Sequence, residues 1–135
     1  MFWKDSRVLF FSIHRAISTN NFSGTLPPEL GNLSNLELLY LDSCGASGEI
    51  PSTFSRLTKM REMWASDSAF SRKMPPFISN WTKLEKLRQQ GNNFEGPIPA
   101  NFSKLISLKS LRISDLQNVS LSLDFITSLR NLTDL

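Results

Sequence analysis

The chain has 135 residues, of which 40% are hydrophobic and 20% charged, a composition typical of one folded domain and not of a disordered segment. Its 15 Lys and Arg are interspersed among 12 Asp and Glu, which excludes the basic patch expected of a nucleic-acid-binding protein. The longest apolar run, residues 8–11, is far shorter than the ~18 residues of a membrane-spanning helix, so no membrane span is predicted.

The first 11 residues match no repeat, and we assign residues 1–11 to a separate N-terminal segment. This segment combines charges with a short apolar run but lacks the small-residue cleavage site of a signal peptide. The single histidine, His14, follows it and is predicted to lie at the surface. One His without Cys or clustered carboxylate partners does not form a metal site.

Residues 12–135 are organised by a period of 24 residues. A proline recurs at this spacing, at Pro27, Pro51, Pro75 and Pro99. Three residues before each proline stands a glycine or its one replacement: Gly24, Gly48, Arg72 and Gly96. We therefore predict repeat units that start near residues 12, 36, 60, 84 and 108, with a partial unit from residue 132. The first unit is degenerate, because Ser12 and Arg15 occupy leucine positions.

Each unit from residue 36 onward has mainly apolar residues at its positions 1, 4 and 6. These are Leu36, Leu39 and Leu41; Met60, Met63 and Ala65; Leu84, Leu87 and Gln89; Leu108, Leu111 and Ile113. Side chains alternate along a strand, so positions 4 and 6 are predicted to point inward and positions 3, 5, 7 and 8 toward solvent. After each proline, apolar residues at three-residue spacing predict a short 3₁₀ helix with one buried stripe.

Position 9 of the units carries small or amide side chains in four of five units: Asn20, Cys44, Ser68, Asn92 and Leu116. An Asn side chain has both donors and an acceptor, so we predict a ladder of hydrogen bonds to the backbone of neighbouring turns. Cys44, the only cysteine, is predicted to be a small buried member of this ladder and not a reactive thiol.

The full pattern, LxxLxLxxNxLxGxIPxxLxxLxx, resembles the plant extracellular type of leucine-rich repeat. Stretches such as NNFSGTLPPELGNL and LRQQGNNFEGPIPANFSKL are similar to the ectodomains of plant leucine-rich-repeat receptor kinases that carry a malectin-like domain. The resemblance implies a right-handed solenoid with a parallel concave β-sheet and 3₁₀ or short helices on the convex side. It also implies a plasma-membrane receptor with a cytoplasmic Ser/Thr kinase elsewhere in the protein.

Several features depart from that family. The paired cysteines of an N-terminal cap are absent, and the chain ends four residues into a unit, so we interpret it as a fragment. Because each unit buries its face only against its neighbours, the chain alone is expected to be marginally folded or prone to aggregate, with a melt below about 60 °C.

No catalytic chemistry is predicted in this chain. The sequence contains no GxGxxG, GxxxxGK[ST] or HExxH motif, and neither the HRD nor the DFG of a kinase. One His and one Cys give no nucleophile with a base. We therefore expect a non-enzymatic protein without cofactor or metal.

The outward positions of the predicted concave sheet form the candidate binding site. Position 5 places an aromatic and basic row on neighbouring strands, at Tyr40, Trp64, Arg88 and Arg112. The polar residues predicted beside this row are Asp42, Asp67 and Gln90. Aromatic residues and Arg dominate binding hot spots. The row is predicted to bind an extracellular peptide with an acidic end, a cell-wall carbohydrate or a co-receptor ectodomain. In the alternative interpretation Arg88 stacks on Trp64, and the row binds nothing.

Glycosylation sequons are unusually frequent. Six of the ten asparagines begin Asn-x-Ser/Thr: Asn21, Asn32, Asn80, Asn101, Asn118 and Asn131. This excess predicts passage through the secretory pathway, to the extracellular face of the plasma membrane or outside the cell. The predicted function is a ligand- or co-receptor-binding module of a receptor-like kinase. The alternatives are a stand-alone secreted inhibitor or wall-binding protein, and a non-functional truncated product.

Overall fold

The fold is a solenoid of stacked turns, seen in a computed structural model that describes residues 8–10, 24–117 and 122–135. The strands in these ranges are β1 (Val8–Phe10), β2 (Leu38–Tyr40), β3 (Ser47–Gly48), β4 (Glu62–Trp64), β5 (Ala69–Lys73), β6 (Lys86–Arg88), β7 (Asn93–Glu95) and β8 (Ser110–Arg112). The 3₁₀ helices are η1 (Pro28–Asn32), η2 (Ser52–Arg56), η3 (Pro76–Asn80), η4 (Ala100–Lys104) and η5 (Asp124–Ser128). Each unit from residue 36 onward thus contributes one strand of the main sheet and one short helix, as predicted, and the units that start near residues 36, 60 and 84 add a second, separate strand.

Two parallel sheets run along the solenoid. The main sheet has the order β1-β2-β4-β6-β8, and a smaller second sheet has the order β3-β5-β7. In the main sheet, Leu39 pairs with Met63, Met63 with Leu87 and Leu87 with Leu111. Paired residues are therefore 24 positions apart, the period found in the sequence. The main sheet is therefore the predicted parallel sheet.

The first strand pairs differently from the prediction. β1 lies within the segment that we placed outside the repeats, and Val8 pairs with Leu38, a step of 30 residues (38 − 8) instead of 24. The segment VLF is rich in strand-forming residues, which is consistent with a strand at this place. A unit beginning at residue 12 has its strand outside the described residues, so that boundary stays a prediction.

The core consists of the residues that the repeat places inward. All of the predicted residues at positions 1, 4 and 6 from Leu36 to Leu111 are buried, and Ile113 is partly buried. The helices and the residues that cap their C-termini add a second set of fully buried side chains: Phe54, Leu57, Ile78, Trp81, Phe102 and Leu105. The predicted inward positions are therefore confirmed.

Prolines set where the first four helices begin. Pro27, Pro51, Pro75 and Pro99 each precede a 3₁₀ helix and occupy its N-cap with extended backbone angles. The fixed φ of proline favours this extended entry, and its missing N–H leaves no donor unsatisfied at a helix start. The helices stack on one another along the side of the solenoid away from the main sheet.

The position-9 ladder is present at two of the described turns, those of Ser68 and Asn92. Asn92 donates through Nδ2 to the carbonyl oxygen of Ala65 at 2.6 Å and accepts at Oδ1 from the Phe70 N–H at 3.2 Å. One turn earlier, the Ser68 hydroxyl donates to the Leu41 carbonyl at 3.2 Å and accepts from the Cys44 N–H at 3.1 Å. Cys44 is buried and free, as predicted.

One glycine position is occupied by a residue that strains the backbone. Gly24, Gly48 and Gly96 have φ of +102°, +75° and +78°, and Arg72 adopts +66° at the equivalent place. A left-handed conformation costs a non-glycine residue about 1–2 kcal/mol. Arg72 therefore carries a local penalty that the other three turns avoid.

Gln89 is the one predicted leucine position filled by an amide, and we expect Gln89→Leu to stabilise the protein. Its side chain is fully buried, its Oε1 has no partner among the described residues, and its Nε2 reaches only the Met63 sulfur at 3.9 Å. Removing this unsatisfied group should raise the free energy of unfolding by about 1–2 kcal/mol.

Urea denaturation of Gln89→Leu beside Gln90→Ala measures this effect. Gln90 is the next residue along the chain and is half-buried on the outward side of the solenoid. Its substitution should change stability by less than about 0.5 kcal/mol. A Gln89→Leu protein less stable than the wild type would contradict the buried, unsatisfied amide.

Candidate functional site

The outward side of the main sheet presents the predicted row. In β2, β4 and β6 the middle residue is buried and the two flanking residues are half-buried. The pairing sets Tyr40 beside Trp64, Trp64 beside Arg88 and Arg88 beside Arg112. All four side chains of the row therefore project from one face, as the sequence predicts.

The row is a contact stack centred on Trp64. The Tyr40 and Trp64 ring centroids are 4.5 Å apart with the planes tilted by 42°, and Arg88 Cζ lies 4.3 Å from the Trp64 centroid. Because β4 lies between β2 and β6, these neighbours approach Trp64 from opposite sides. The stack described by the alternative interpretation is thus present. A cation–π pair contributes about 0.5–1 kcal/mol at an exposed site and about 2 kcal/mol when desolvated, and this half-buried pair lies between the two cases.

The cations on this face of the sheet differ in their partners. Lys86 Nζ lies 3.3 Å from a Glu62 carboxylate oxygen, and Arg112 Nε lies 3.0 Å from an Asp134 oxygen. Arg88 forms no ion pair within 4.0 Å among the described residues, although its charge helps to lower the pKa of Asp134, and its buried Nε has no acceptor there. Arg88 is therefore the cation of this face that is still available for an anion.

The predicted acidic residues divide into two kinds. Asp42 Oδ1 accepts a hydrogen bond from the Ser66 N–H at 2.7 Å, so this carboxylate is engaged in linking two turns. Asp67 is exposed in a left-handed conformation, with φ of +51°, and its carboxylate lies against Gly91. A Cβ at Gly91 would collide with the Asp67 carboxylate, and the backbone φ of +69° at this position also favours glycine.

Burial of Ser66 corrects one prediction. Position 7 was expected to face solvent, and Ser66 is only 4% exposed, with no partner for its hydroxyl among the described residues. Its backbone N–H donates to Asp42 Oδ1 at 2.7 Å, so the Asp42 side chain covers this part of the strand. No signal in the repeat pattern distinguishes it from the other residues at position 7.

The row ends beside an apolar recess. Gln90 and Arg112 line an open cleft of about 540 Å³ together with the apolar side chains of Leu111, Ile113 and Phe125. Gln90 is half-buried, and its carbonyl oxygen accepts from the Asp67 N–H at 3.0 Å. A ligand side chain next to Arg112 would therefore meet both charge and apolar surface.

Ion pairs also reinforce the edge of this face. Arg61 and Lys109 lie 3.3 Å and 3.4 Å from the two oxygens of Glu85. Burial raises the pKa of Glu85, but hydrogen bonds and charges from these two cations outweigh it and hold the pKa below its usual value. Hydrogen bonds from Ser110 and Arg112 likewise lower the pKa of Asp134. These carboxylates are therefore paired charges at the edge of the face.

Tyr40, the only tyrosine of the chain, should titrate at unusually high pH. Burial raises its pKa to about 12, helped by the hydrogen bond that its hydroxyl donates to Glu62 at 2.9 Å and by the Glu62 charge. A folded-state pKa above the unfolded value of about 10 means stability that is complete below pH 10 and lost as the pH rises through 12.

Ultraviolet absorbance of tyrosinate follows this single group directly. We expect the midpoint near 12 in the folded protein, near 10 in denaturant, and lowered by Glu62→Gln. A folded midpoint equal to the denatured one would show that Tyr40 is neither buried nor bonded to Glu62.

The described sequons lie away from the row. Asn32 and Asn80 end η1 and η3 and are exposed, as is Asn131, whereas Asn101 in η4 is half-buried. Asn21 and Asn118 fall outside the described residues, as does His14. Within the described ranges, no cluster of three metal-ligating side chains occurs and no helix is long and apolar enough to cross a membrane.

Comparisons with known proteins agree with this architecture. The family model described as Leucine Rich Repeat matches residues 16–33 and 35–57. A segment of 59 residues, 40% of this chain, is 41% identical to Receptor-like protein 41 of Arabidopsis thaliana and covers 7% of that protein. The chain therefore spans a small part of the curated relative that it matches.

Two solved receptor structures show the same fold over most of the chain. The TDR receptor superposes with a TM-score of 0.72 at 33% identity, over 84% of this chain and 20% of that one. The ectodomain of the Arabidopsis receptor kinase HAESA, crystallised with an IDA peptide hormone ligand, gives 0.76 at 28% identity, over 83% and 19%. The chain has the leucine-rich-repeat fold of plant receptor ectodomains.

Proposed function

We propose that this chain, a leucine-rich-repeat solenoid similar to plant receptor ectodomains, is a non-catalytic module that binds an extracellular peptide ligand at the cell surface. The similar HAESA ectodomain binds a peptide hormone, and that structure supports the class of ligand. The concave row of Tyr40, Trp64, Arg88 and Arg112 is the proposed binding surface, with Asp67 and Gln90 at its side.

The observation that carries this proposal is the unpaired guanidinium of Arg88. Its contact with Trp64, with Cζ 4.3 Å from the ring centroid, holds it in the middle of the row, while Lys86 and Arg112 are already paired. A planar guanidinium forms two parallel hydrogen bonds with a carboxylate, and such charge-assisted bonds are worth about 1.5–3 kcal/mol. Arg88 therefore suits an acidic side chain or a terminal carboxylate of a peptide.

The geometry favours a peptide over a cell-wall carbohydrate. A sugar ring binds to an aromatic residue by lying on its face, and both faces of Trp64 are approached by neighbours, Tyr40 on one side and Arg88 on the other. The cleft beside Gln90 and Arg112 offers space for an apolar peptide side chain. A co-receptor ectodomain is a second candidate partner for the same surface.

An array of short synthetic peptides, each made with a free and with an amidated C-terminus, tests the ligand class. We expect capture of peptides that carry an acidic residue or a free carboxylate, and at least a tenfold loss of affinity in Arg88→Ala, about 1.4 kcal/mol. Lys83→Ala removes the same charge from an exposed site outside the row and serves as the matched control.

Equal capture by Arg88→Ala and the wild type would contradict the proposal. Arg88→Lys keeps the charge but loses the planar fork, so we expect an intermediate loss. A denaturation curve for each variant separates lost binding from lost structure, since Arg88 also contributes to the stack on Trp64.

The proposal for the whole protein is a plant receptor-like kinase of the malectin-domain subfamily, with the solenoid on the extracellular face of the plasma membrane. The sequence resemblance supports the subfamily, and the receptor relatives support the location. Sequencing the flanking reading frame tests it, because a downstream malectin-like domain, membrane span and kinase are expected. A stop codon directly after a short solenoid would favour a stand-alone secreted protein or a truncated product.

A further inference from the structure

Two of the described sequons occupy equivalent, open positions on the helical side of the solenoid. Asn32 is the last residue of η1 and Asn80 the last residue of η3, and both are exposed. Asn32 uses only its Oδ1, which accepts from Arg56 Nη1 at 3.4 Å. The Asn80 side chain makes no hydrogen bond within the described ranges. Both amide nitrogens are therefore open to modification.

Asn101 has the same sequon but a different environment. Its Nδ2 donates two hydrogen bonds, to the carbonyl oxygen of Pro76 at 3.2 Å and to the Ser79 hydroxyl at 3.1 Å. Its Oδ1 is closed off from solvent, and Ser79 is only 5% exposed. The Asn101 amide thus ties η4 to η3 and is held against the protein.

N-glycosylation changes the atom that these contacts use. One Nδ2–H bond breaks, an Nδ2–C1 bond to the sugar forms, the lipid pyrophosphate carrier leaves and the proton passes to solvent. The modified nitrogen keeps one hydrogen. Asn101 would lose at least one of its two bonds and would have to place a sugar beside buried Ser79. Asn32 and Asn80 would lose no bond.

We infer that Asn32 and Asn80 carry N-glycans on the helical face, and that the molecules that fold and are secreted are those with unmodified Asn101, because a glycan added there to the nascent chain would break the link between two turns. The inference rests on the proposed extracellular function, since glycan transfer takes place only in the secretory pathway. It leaves the binding row free of sugar. Asn131 donates one hydrogen bond to the Ile106 carbonyl at 2.9 Å. It can keep that bond with or without a glycan, so its occupancy does not test the inference.

Secretion of the full chain from insect cells, behind a heterologous cleavable signal peptide, tests the assignment by glycopeptide mass spectrometry. Because the added signal peptide directs secretion, the test depends neither on the protein's own targeting signal nor on any ligand. We expect most secreted molecules to be occupied at Asn32 and Asn80 and empty at Asn101. Thr82→Ala, which deletes the Asn80 sequon but keeps Asn80, should remove one glycan. Ser103→Ala, which deletes the Asn101 sequon, should remove none.

Protein made without glycosylation in bacteria provides an independent readout. Asn101→Asp keeps the shape of the side chain but loses both donors, so we expect Tm to fall by about 4 °C, while Asn80→Asp leaves it unchanged. Glycan on Asn101 of secreted protein, empty Asn32 and Asn80, or equal Tm for the two variants would overturn the inference. Correct occupancy together with unaltered peptide capture by Arg88→Ala would instead count against the proposed function alone.

Discussion

Replacing Trp81 with alanine is expected to lower the free energy of unfolding by about 4 kcal/mol, within the range of about 3–5 for a buried Trp. Trp81 is fully buried, and its Nε1 donates to the Phe54 carbonyl oxygen at 3.0 Å, a contact between neighbouring turns. Its ring also packs on Phe77, with centroids 6.0 Å apart. Urea denaturation followed by circular dichroism measures the loss.

Two further tryptophan variants give this prediction its control. Trp81→Phe keeps most of the apolar contact but leaves the Phe54 carbonyl without its donor, so we expect a loss of about 1–3 kcal/mol. Trp64→Ala removes a half-buried ring from the stack on the opposite side of the solenoid and should cost about 1–2 kcal/mol. Equal losses in Trp64→Ala and Trp81→Ala would mean that the two side chains are wrongly placed.

Asn92→Ala is expected to have the second largest effect, a loss of about 3 kcal/mol from buried groups left without partners. The Asn92 amide satisfies the Ala65 carbonyl and the Phe70 N–H, which belong to the preceding turn, and it is itself buried. Alanine can replace none of these bonds. Thermal and urea denaturation report the change.

Serine provides the matched substitution at this position. Ser68 occupies the equivalent place one turn earlier and bonds both Leu41 and Cys44 with a single hydroxyl. Asn92→Ser should therefore recover part of the stability, with a loss of about 1–2 kcal/mol. If Asn92→Ala were within about 0.5 kcal/mol of the wild type, the ladder would not support the solenoid.

The core and the helices follow from the sequence because the period is fixed. The spacing of Pro51 and Pro75 gives the unit length, so an inward side chain in one turn has an inward neighbour 24 residues later. The same packing contacts then recur in each stacked turn. The same logic puts Met60 and Met63 in the core although they stand next to charged residues. Trp64 then falls on the outward alternate position, where the structure has it.

The partners of the outward side chains did not follow from the sequence. The repeat pattern predicts which face of the sheet each side chain lies on. Which neighbouring residue that side chain pairs with depends on its length and rotamer, and the pattern does not predict these. Thus Asp42 caps the Ser66 N–H instead of facing a ligand, and Lys86 is paired with Glu62 while Arg88 is left with Trp64.

Hydroxyl-radical footprinting with peptide mass spectrometry tests most directly the central claim that one repeat register sets both the core and the presented face. It needs no substitution, because the stretch KMREMWASDS contains residues of both kinds. We predict that Trp64 is oxidised several-fold faster than Trp81, and that Met60 and Met63 are protected in spite of the high reactivity of methionine. Rapid oxidation of Met63 and Trp81, with Trp64 protected, would contradict the register and with it the proposed binding row.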